Sequence, residues 1–148
     1  MIIINRSARA EYTISETFEA GIVLAGLEVK SLRLGKANLK GSFIKIMGGE
    51  AFIHNMHIQP YPFARAEEYE PTRIRKLLLK KRELIKLAEY DQRKGVSIVP
   101  LKIYFAGRNL KMQIGIGKGK QQFERRAELK KRDQDRELRA QFKQAALR

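Results

Sequence analysis

Apolar and polar residues alternate along several short segments of the first 117 residues, and this period of two indicates β-strands with one buried face. In the clearest segment the apolar positions are Leu110, Met112, Ile114 and Ile116. Lys111 and Gln113 lie between them and therefore point to the opposite face. We expect the four apolar side chains to lie in the core and Lys111 to lie on the outside of the sheet.

Three further segments have the composition of strands. Residues 42–54 predict a hairpin with a two-residue turn at Gly48 and Gly49. Residues 96–105 are expected to pair with the strand that contains Lys111, and Pro100 marks an edge or a bulge there. Residues 12–24 predict one strand or a pair of strands.

Two segments have helical patterns. Residues 26–34 end at Gly35, as helices commonly do. Thr72 is a candidate N-cap for a longer helix that ends near Glu89 and carries an apolar stripe. The stripe consists of Ile74, Leu77, Leu78, Leu84, Ile85 and Ala88. The segment before this helix, residues 59–71, is expected to be a mobile loop.

Several strands with two intervening helices predict a small α+β domain that is mainly antiparallel β. Closure into a barrel would remove exposed sheet edges, but the period of two fits a sandwich equally well. We assign residues 1–117 to this domain and residues 118–148 to a tail.

The chain carries 31 Lys and Arg against 16 Asp and Glu, which gives a formal net charge of +15 at pH 7. This charge favours a polyanion, either nucleic acid or an anionic membrane surface, because each neutralised phosphate releases condensed counterions. No apolar run approaches the roughly 18–20 residues that a spanning helix needs, and the opening run Met1–Ile4 is too short for a signal peptide. The absence of cysteine excludes disulfides and fits a reducing cytoplasm.

The positive charge is densest in the tail, where residues 118–148 hold 11 Lys and Arg and 5 Asp and Glu. Its large apolar residues are Phe123, Leu129, Leu138, Phe142 and Leu147. They are too few to offset the entropy of ordering the segment, so we expect the tail to be disordered in the free protein.

Catalytic and metal-binding motifs have little support in this sequence. His54 and His57 are three residues apart, but no cysteine accompanies them and nearby carboxylates fall at no motif spacing, so no metal or cofactor is predicted. The glycine-rich stretch 115–120 lacks the P-loop spacing and follows a strand instead of opening a helix. Its glycines are expected to give the chain a flexible exit from the domain.

Two groups of basic residues are candidates for RNA binding. One group lies on the first helix and its exit: Lys30, Arg33 and Lys36. The other lies at the start of the second helix: Arg73, Arg75 and Lys76. A solvated helix face is the simpler interpretation of each, but the excess of positive charge favours phosphate binding. Six aromatic residues are candidates for stacking on unpaired bases, with at least half expected in the core: Tyr12, Phe18, Tyr61, Tyr69, Tyr104 and Phe105.

Five blocks of residues follow one another in a fixed order over nearly the whole chain. They are Asn5-Arg6-x-Ala8, Glu19-Ala20-Gly21, Gly26-x-Glu28-Val29-Lys30-Ser31-Leu32-Arg33-x-Gly35-Lys36, Pro71-Thr72-Arg73-x-Arg75-Lys76-Leu77-Leu78-Leu79 and Lys118-Gly119-Lys120. Together they resemble the family of tmRNA-binding proteins known as small protein B or SsrA-binding protein.

The resemblance implies a fold and a role. Family members are OB-type closed barrels with flanking helices, which bind the tRNA-like domain of tmRNA and deliver it to stalled ribosomes for trans-translation, without catalytic activity of their own. It implies tmRNA contacts at Glu19, Leu78 and Lys111, and a cytoplasmic protein that is a monomer when free. Leu78 also falls on the predicted apolar stripe, so core packing and RNA contact are both open for it.

The resemblance also places the tail in the small-subunit decoding region and along the message path of the ribosome, where it would become helical. The residues implied as ribosome contacts are Gly119, Lys120, Phe123, Arg125 and Arg126. Two positions differ from the family pattern. Gln121 replaces a lysine, and Phe123 stands where Tyr or His is common, which keeps a stacking ring and loses its polar tip.

Two alternatives make different demands on the chain. A general ribosomal or single-stranded RNA-binding protein would not prefer a tRNA-like fold to a random hairpin. An enzyme that acts on RNA would need a carboxylate cluster for metal ions, and the sequence shows no motif of that kind.

Overall fold

The computed structural model describes residues 2–63 and 69–119, which form nine strands and three helices. The strands are β1 (Ile2–Ile4), β2 (Tyr12–Ile22), β3 (Ala37–Asn38), β4 (Phe43–Met47), β5 (Glu50–His54), β6 (His57–Ile58), β7 (Arg75–Leu78), β8 (Val96–Ala106) and β9 (Asn109–Gly119). The helices are α1 (Arg6–Glu11), α2 (Gly26–Arg33) and α3 (Lys81–Asp91). The tail lies outside the described residues from Lys120 onward, and so does its predicted disorder.

Seven strands form one antiparallel sheet in the order β1, β8, β4, β5, β7, β2, β9, and β3 pairs with β6 separately. A further pairing between β8 and β9 joins the sheet back on itself. The prediction of a mainly antiparallel fold with a few helices is confirmed. The two predicted hairpins are present as well, one formed by β4 and β5 and the other by β8 and β9.

The apolar face predicted for β9 lies in the core. Met112 and Ile114 are 0% exposed and Ile116 is 1% exposed. Leu110 is half-buried and packs against the same cluster. The side chain of Lys111 points to the other face, as the alternation predicts.

Details of β8, β2 and α2 also agree with the sequence pattern. The register of β8 against β9 shifts between Pro100 and Lys102, as expected for a bulge at this proline. Gly35 follows α2 with a φ of +72°, the left-handed conformation that commonly ends a helix. Residues 12–24 contain a single long strand, β2.

The helix predicted from Thr72 is wrong in its first half. Residues 75–78 form strand β7, which pairs with β5 on one side and β2 on the other. Arg75 and Leu77 are buried, whereas Leu78 is 52% exposed. Hydrogen bonding to two neighbouring strands and alternate burial outweigh the helical spacing of the leucines, because the tertiary context decides the state of such a short segment.

The predicted apolar stripe is therefore divided between two elements. Ile74, Leu78 and Ile85 are 52%, 52% and 56% exposed, so none of them lies in the core. The fully buried residue of α3 is Leu87, which the stripe omits. This helix begins after Lys80 and buries Leu87 most deeply, while Leu84 of the predicted stripe packs against the same core.

A buried ion pair connects α2 to β7. Glu28 and Arg75 are 1% and 0% exposed, and Arg75 Nε donates to Glu28 Oε2 at 2.5 Å. The same guanidinium donates to the carbonyls of Met56 at 2.7 Å and Pro71 at 3.0 Å. Burial raises the pKa of Glu28, but hydrogen bonds from the Ala25 N–H and from arginine side chains outweigh it and hold the pKa below its ordinary value.

The glycines at 115 and 117 do not act as a flexible exit. Both lie inside β9, paired with β2 and with β8. A Cβ on Gly117 would lie 2.8 Å from Tyr12 Cβ, and one on Gly115 would lie 2.9 Å from Leu101 Cδ1. They therefore make room for side chains that cross the sheet, and β9 continues to Gly119, past the predicted domain boundary.

The predicted loop at 59–71 is described at residues 59–63 and 69–71, where neither a helix nor a strand forms. The Tyr69 hydroxyl donates to the Ile58 carbonyl at 2.7 Å, and the mobility of the loop stays a prediction. Within residues 2–63 and 69–119, no helix combines the length and the apolar character needed to cross a membrane.

Candidate nucleic-acid interface

The three residues implied as tmRNA contacts lie on one outer face of the sheet. Leu78 of β7 pairs with Gly21 of β2. Gly21 pairs in turn with Lys111 of β9, and Lys111 pairs with Tyr104 of β8. This row crosses four adjacent strands and is roughly 14 Å long at the ordinary strand spacing. Glu19 lies two positions from Gly21 along β2 and points to the same face, so we name these five residues the outer-face cluster.

Gly21 and Leu78 determine the shape of the cluster. A Cβ on Gly21 would lie 3.3 Å from Leu78 Cβ and 3.6 Å from its Cδ1, so the leucine side chain packs over the glycine. Leu78 is still 52% exposed, and its apolar surface is available to pack on a base or a ribose. Half-buried Lys111 lies on the other side of Gly21 from Leu78 and presents an ammonium group suited to phosphate.

Glu19 is held by Tyr104 across the intervening strand β9. The Tyr104 hydroxyl donates to Glu19 Oε2 at 2.5 Å. This hydrogen bond, together with desolvation, raises the pKa of Tyr104 to about 12. Lys102 Nζ lies 5.2 Å from the centroid of the Tyr104 ring and makes a cation–π contact with its face. A carboxylate accepts hydrogen bonds from base amino groups. Glu19 is therefore suited to contact RNA bases, and Lys111 is suited to contact the phosphates of the RNA backbone.

Basic residues of α2 lie beside half-buried aromatic rings. Lys30 Nζ is 5.6 Å from the ring centroid of Tyr61, and the Arg33 guanidinium carbon is 5.1 Å from that of Phe105. Phe105 follows Tyr104 along β8 and pairs with Leu110, so it points away from the face of the cluster. Arg33 therefore lies near the turn between β8 and β9, on the other side of the sheet from the cluster. Lys36 follows the helix and is exposed. The predicted basic group on α2 therefore keeps its positive charges at the surface.

The second predicted basic group is engaged within the protein. The structure contradicts an RNA contact for Arg75, because its side chain is 0% exposed and bound to Glu28. Arg73 bonds the same carboxylate from the surface and is 44% exposed. Lys76 Nζ pairs with Glu50 Oε1 at 2.9 Å and is 41% exposed. Arg73 and Lys76 remain accessible to RNA, whereas Arg75 holds the fold together.

The two histidines are placed by their neighbours on adjacent strands. His54 stacks on Phe43, with ring centroids 5.1 Å apart and planes 3° from parallel. His57 lies in β6 opposite Asn38. Among residues 2–63 and 69–119, no group of three or more His, Asp or Glu side chains is arranged to hold a metal ion.

Most of the predicted ribosome contacts lie outside the part of the chain that the structure describes. These residues are Lys120, Phe123, Arg125 and Arg126. Gly119 is the last residue of β9 and pairs with Tyr12, so it belongs to the sheet and not to the tail.

Comparison with known proteins covers nearly the whole chain. The family model described as SmpB protein matches residues 2–144. The chain belongs to the SmpB family. The SsrA-binding protein of Syntrophotalea carbinolica is 52% identical to it over 134 residues, which cover 90% of this chain and 89% of the relative. The SsrA-binding protein of Geobacillus sp. (strain WCH70) is 46% identical over 144 residues, which cover 97% and 93%.

The fold of this SmpB family member is similar to that of a solved relative. A structure described as "tmRNA-SmpB: a journey to the center of the bacterial ribosome" contains a chain with 43% identity and a TM-score of 0.71. The match covers 85% of this chain and 93% of the other. The resemblance found in the five sequence blocks is thus confirmed.

The sequence does not predict two contacts within the outer-face cluster, that of Gly21 with Leu78 and that of Tyr104 with Glu19. Gly21 lies in a block that matches the SmpB family, but a residue without a side chain gives no sign of what packs on it. Tyr104 is only one of six stacking candidates in the sequence. Its outward direction follows from its place between two apolar residues of β8, whereas its contact with Glu19 depends on the pairing of three strands.

Proposed function

We propose that the protein is an RNA-binding adaptor, which binds the tRNA-like domain of tmRNA and delivers it to stalled ribosomes for trans-translation. The observation that carries this proposal is the position of Glu19, Leu78 and Lys111 on one outer face. The names of its relatives and the description of the solved relative, which mentions tmRNA and the bacterial ribosome, support these partners. The role requires RNA contacts and no catalytic group.

An OB-type closed barrel is the scaffold that we propose for this face. Its support is the order β8, β4, β5, β7, β2, β9, together with the pairing of β9 back to β8. A closed barrel has no free edge, and it holds side chains from four adjacent strands in fixed positions. The proposed RNA contact extends from the cluster to the accessible basic residues Lys30, Arg33, Lys36, Arg73 and Lys76.

In this proposal the tail makes the contacts with the ribosome that the adaptor role requires. Residues 120–148 would contact the small-subunit decoding region and the message path, with the protein acting as a monomer in the cytoplasm. The support is the excess of positive charge in this segment, which favours binding to ribosomal RNA.

Replacing Lys111 with alanine is expected to weaken binding of the tRNA-like domain about 5- to 30-fold, as for the loss of about 1–2 kcal/mol in a charge-assisted contact. The slope of log affinity against log salt should become shallower by about one, since one phosphate contact is lost. Fluorescence anisotropy with a labelled transcript of the tRNA-like domain, at several salt concentrations, gives both values.

Lys94→Ala is the matched control for this measurement. Lys94 is exposed and precedes β8 at the end of the strand opposite Tyr104, so its removal changes the net charge equally without touching the cluster. Equal effects of the two substitutions would contradict a phosphate contact at Lys111. Equal affinity of the wild-type protein for a random hairpin of the same length would favour the general RNA-binding alternative.

A further inference from the structure

We infer that Tyr104 is a positioning residue for RNA recognition, whose hydroxyl fixes the Glu19 carboxylate so that its second oxygen faces the N–H donors of a base. The inference rests on the proposed function, which assigns Glu19 to RNA. Tyr104 lies on β8 and Glu19 on β2, two strands apart, and the tyrosine side chain crosses β9 to reach the carboxylate at 2.5 Å.

The hydrogen bond has only one possible direction. A carboxylate is an acceptor, so the tyrosine must donate, and the raised pKa of Tyr104 keeps its hydroxyl protonated throughout the physiological range. The bond occupies Glu19 Oε2 and leaves Oε1 as the acceptor for RNA. Without the tyrosine, an exposed glutamate samples several rotamers, and RNA binding would have to restrict it to one. Because Tyr104 holds the Glu19 side chain in the folded protein, this conformational entropy is lost on folding and not on RNA binding.

Glu19 itself gives this site its preference for donors. Its cross-strand neighbour on β9 is Gln113, an uncharged side chain. A carboxylate oxygen repels phosphate and accepts hydrogen bonds from the amino or imino edge of an unpaired base.

The inference is tested by a double-mutant cycle in the full-length chain, with Tyr104→Phe, Glu19→Ala and the double variant. The Tyr104→Phe variant keeps the ring and removes only the hydroxyl, and Glu19→Ala removes both acceptor oxygens. We expect Tyr104→Phe to weaken binding of the labelled tRNA-like domain about 3- to 10-fold. Affinity for a random hairpin of equal length, and the salt dependence, should not change. The double variant should bind no more weakly than Glu19→Ala alone, because Tyr104 acts through Glu19.

The chain offers a matched control for the loss of a tyrosine hydroxyl. Tyr90 donates to Glu16 Oε2 at 2.8 Å, at a site on α3 and β2 outside the cluster. Tyr90→Phe removes the same kind of hydrogen bond and should leave RNA binding unchanged. As a direct sign of the contact, Glu19→Ala should lower the pKa of Tyr104 from about 12 toward its ordinary value of about 10, measured by NMR of ¹³C-labelled tyrosine.

Three outcomes would overturn the inference. Tyr104→Phe could bind like the wild type, it could weaken both RNAs equally, or it could keep its full effect in the Glu19→Ala background, which would mean that the tyrosine contacts RNA by itself. If Lys111→Ala and Glu19→Ala weaken binding while Tyr104→Phe does not, this inference alone fails. If none of the three substitutions changes binding, the proposed RNA face fails with it.

Discussion

A protein that lacks residues 120–148 is expected to bind the tRNA-like domain with nearly full affinity and to support no tagging of stalled peptides. The truncation begins after Gly119, which still pairs with Tyr12, so β9 stays complete. RNA binding should survive because the outer-face cluster lies entirely in the retained part. Tagging should be lost because the removed segment holds 10 Lys and Arg against 5 Asp and Glu, the charge that we assign to contacts with ribosomal RNA.

The removed segment also has the sequence of a helix that requires a partner. Glu128 with Arg132 and Asp135 with Arg139 form i,i+4 pairs worth about 0.2–0.5 kcal/mol each. A helix of this length is marginal in water, and phosphate that neutralises its like charges would favour it. A full-length variant in which Lys120, Arg125 and Arg126 are all replaced by alanine separates the effect of charge from that of length.

Tagging is measured in reconstituted translation on a message without a stop codon, and RNA binding is measured by anisotropy on the same preparations. Normal tagging by the truncated protein would contradict the adaptor role of the tail. Loss of RNA binding on truncation would show that the tail belongs to the binding surface for the tRNA-like domain.

Replacing Arg75 with alanine is expected to lower the free energy of unfolding by about 3–5 kcal/mol, because it leaves a buried carboxylate without its partner. Glu28 is 1% exposed, and the carbonyls of Met56 and Pro71 lose a donor as well. Denaturant unfolding followed by circular dichroism gives the value. Arg73→Ala is the matched control, since Arg73 bonds the same carboxylate from a position that is 44% exposed and should contribute about 1 kcal/mol or less.

The effect of Arg75→Ala should also depend on pH. The pKa of Glu28 in the folded state lies below its ordinary value of 4.5, so the stabilisation from the ionised carboxylate is complete above that value. It is lost as the pH falls through the lowered folded pKa. The difference in stability between the wild type and Arg75→Ala should therefore narrow in acid. A difference below about 1 kcal/mol at neutral pH would contradict the burial of the pair.

The strands near the end of the domain could be predicted because their alternation is local. Met112 and Ile114 are buried because apolar and polar residues alternate along β9. The short turn after β8 brings β9 alongside it as its partner strand. The segment from Thr72 failed because Leu77 and Leu78 satisfy a helical spacing as well as a strand. Pairing of β7 with β5 and β2, which the local pattern does not contain, decides between the two states.

The sequence predicts which residues of the candidate site are charged, but it does not predict which residues they contact. From the sequence alone, Arg73 and Arg75 are equally good candidates for RNA binding. Only the tertiary structure shows that Arg75 is buried with Glu28, 47 positions away. The contact of Tyr104 with Glu19 joins residues 85 positions apart. Both contacts depend on the order of the strands, which no periodicity specifies.

We propose above all that the outer face of this antiparallel sheet selects tmRNA. Its most direct test is to sequence the RNA that co-purifies with the tagged full-length protein from its own cells, beside the Lys111→Ala and Lys94→Ala variants. We expect tmRNA to be the most enriched RNA with the wild type and with Lys94→Ala, and to be strongly depleted with Lys111→Ala. A mixture of messenger and ribosomal RNA without enrichment of tmRNA, unchanged by Lys111→Ala, would contradict the claim.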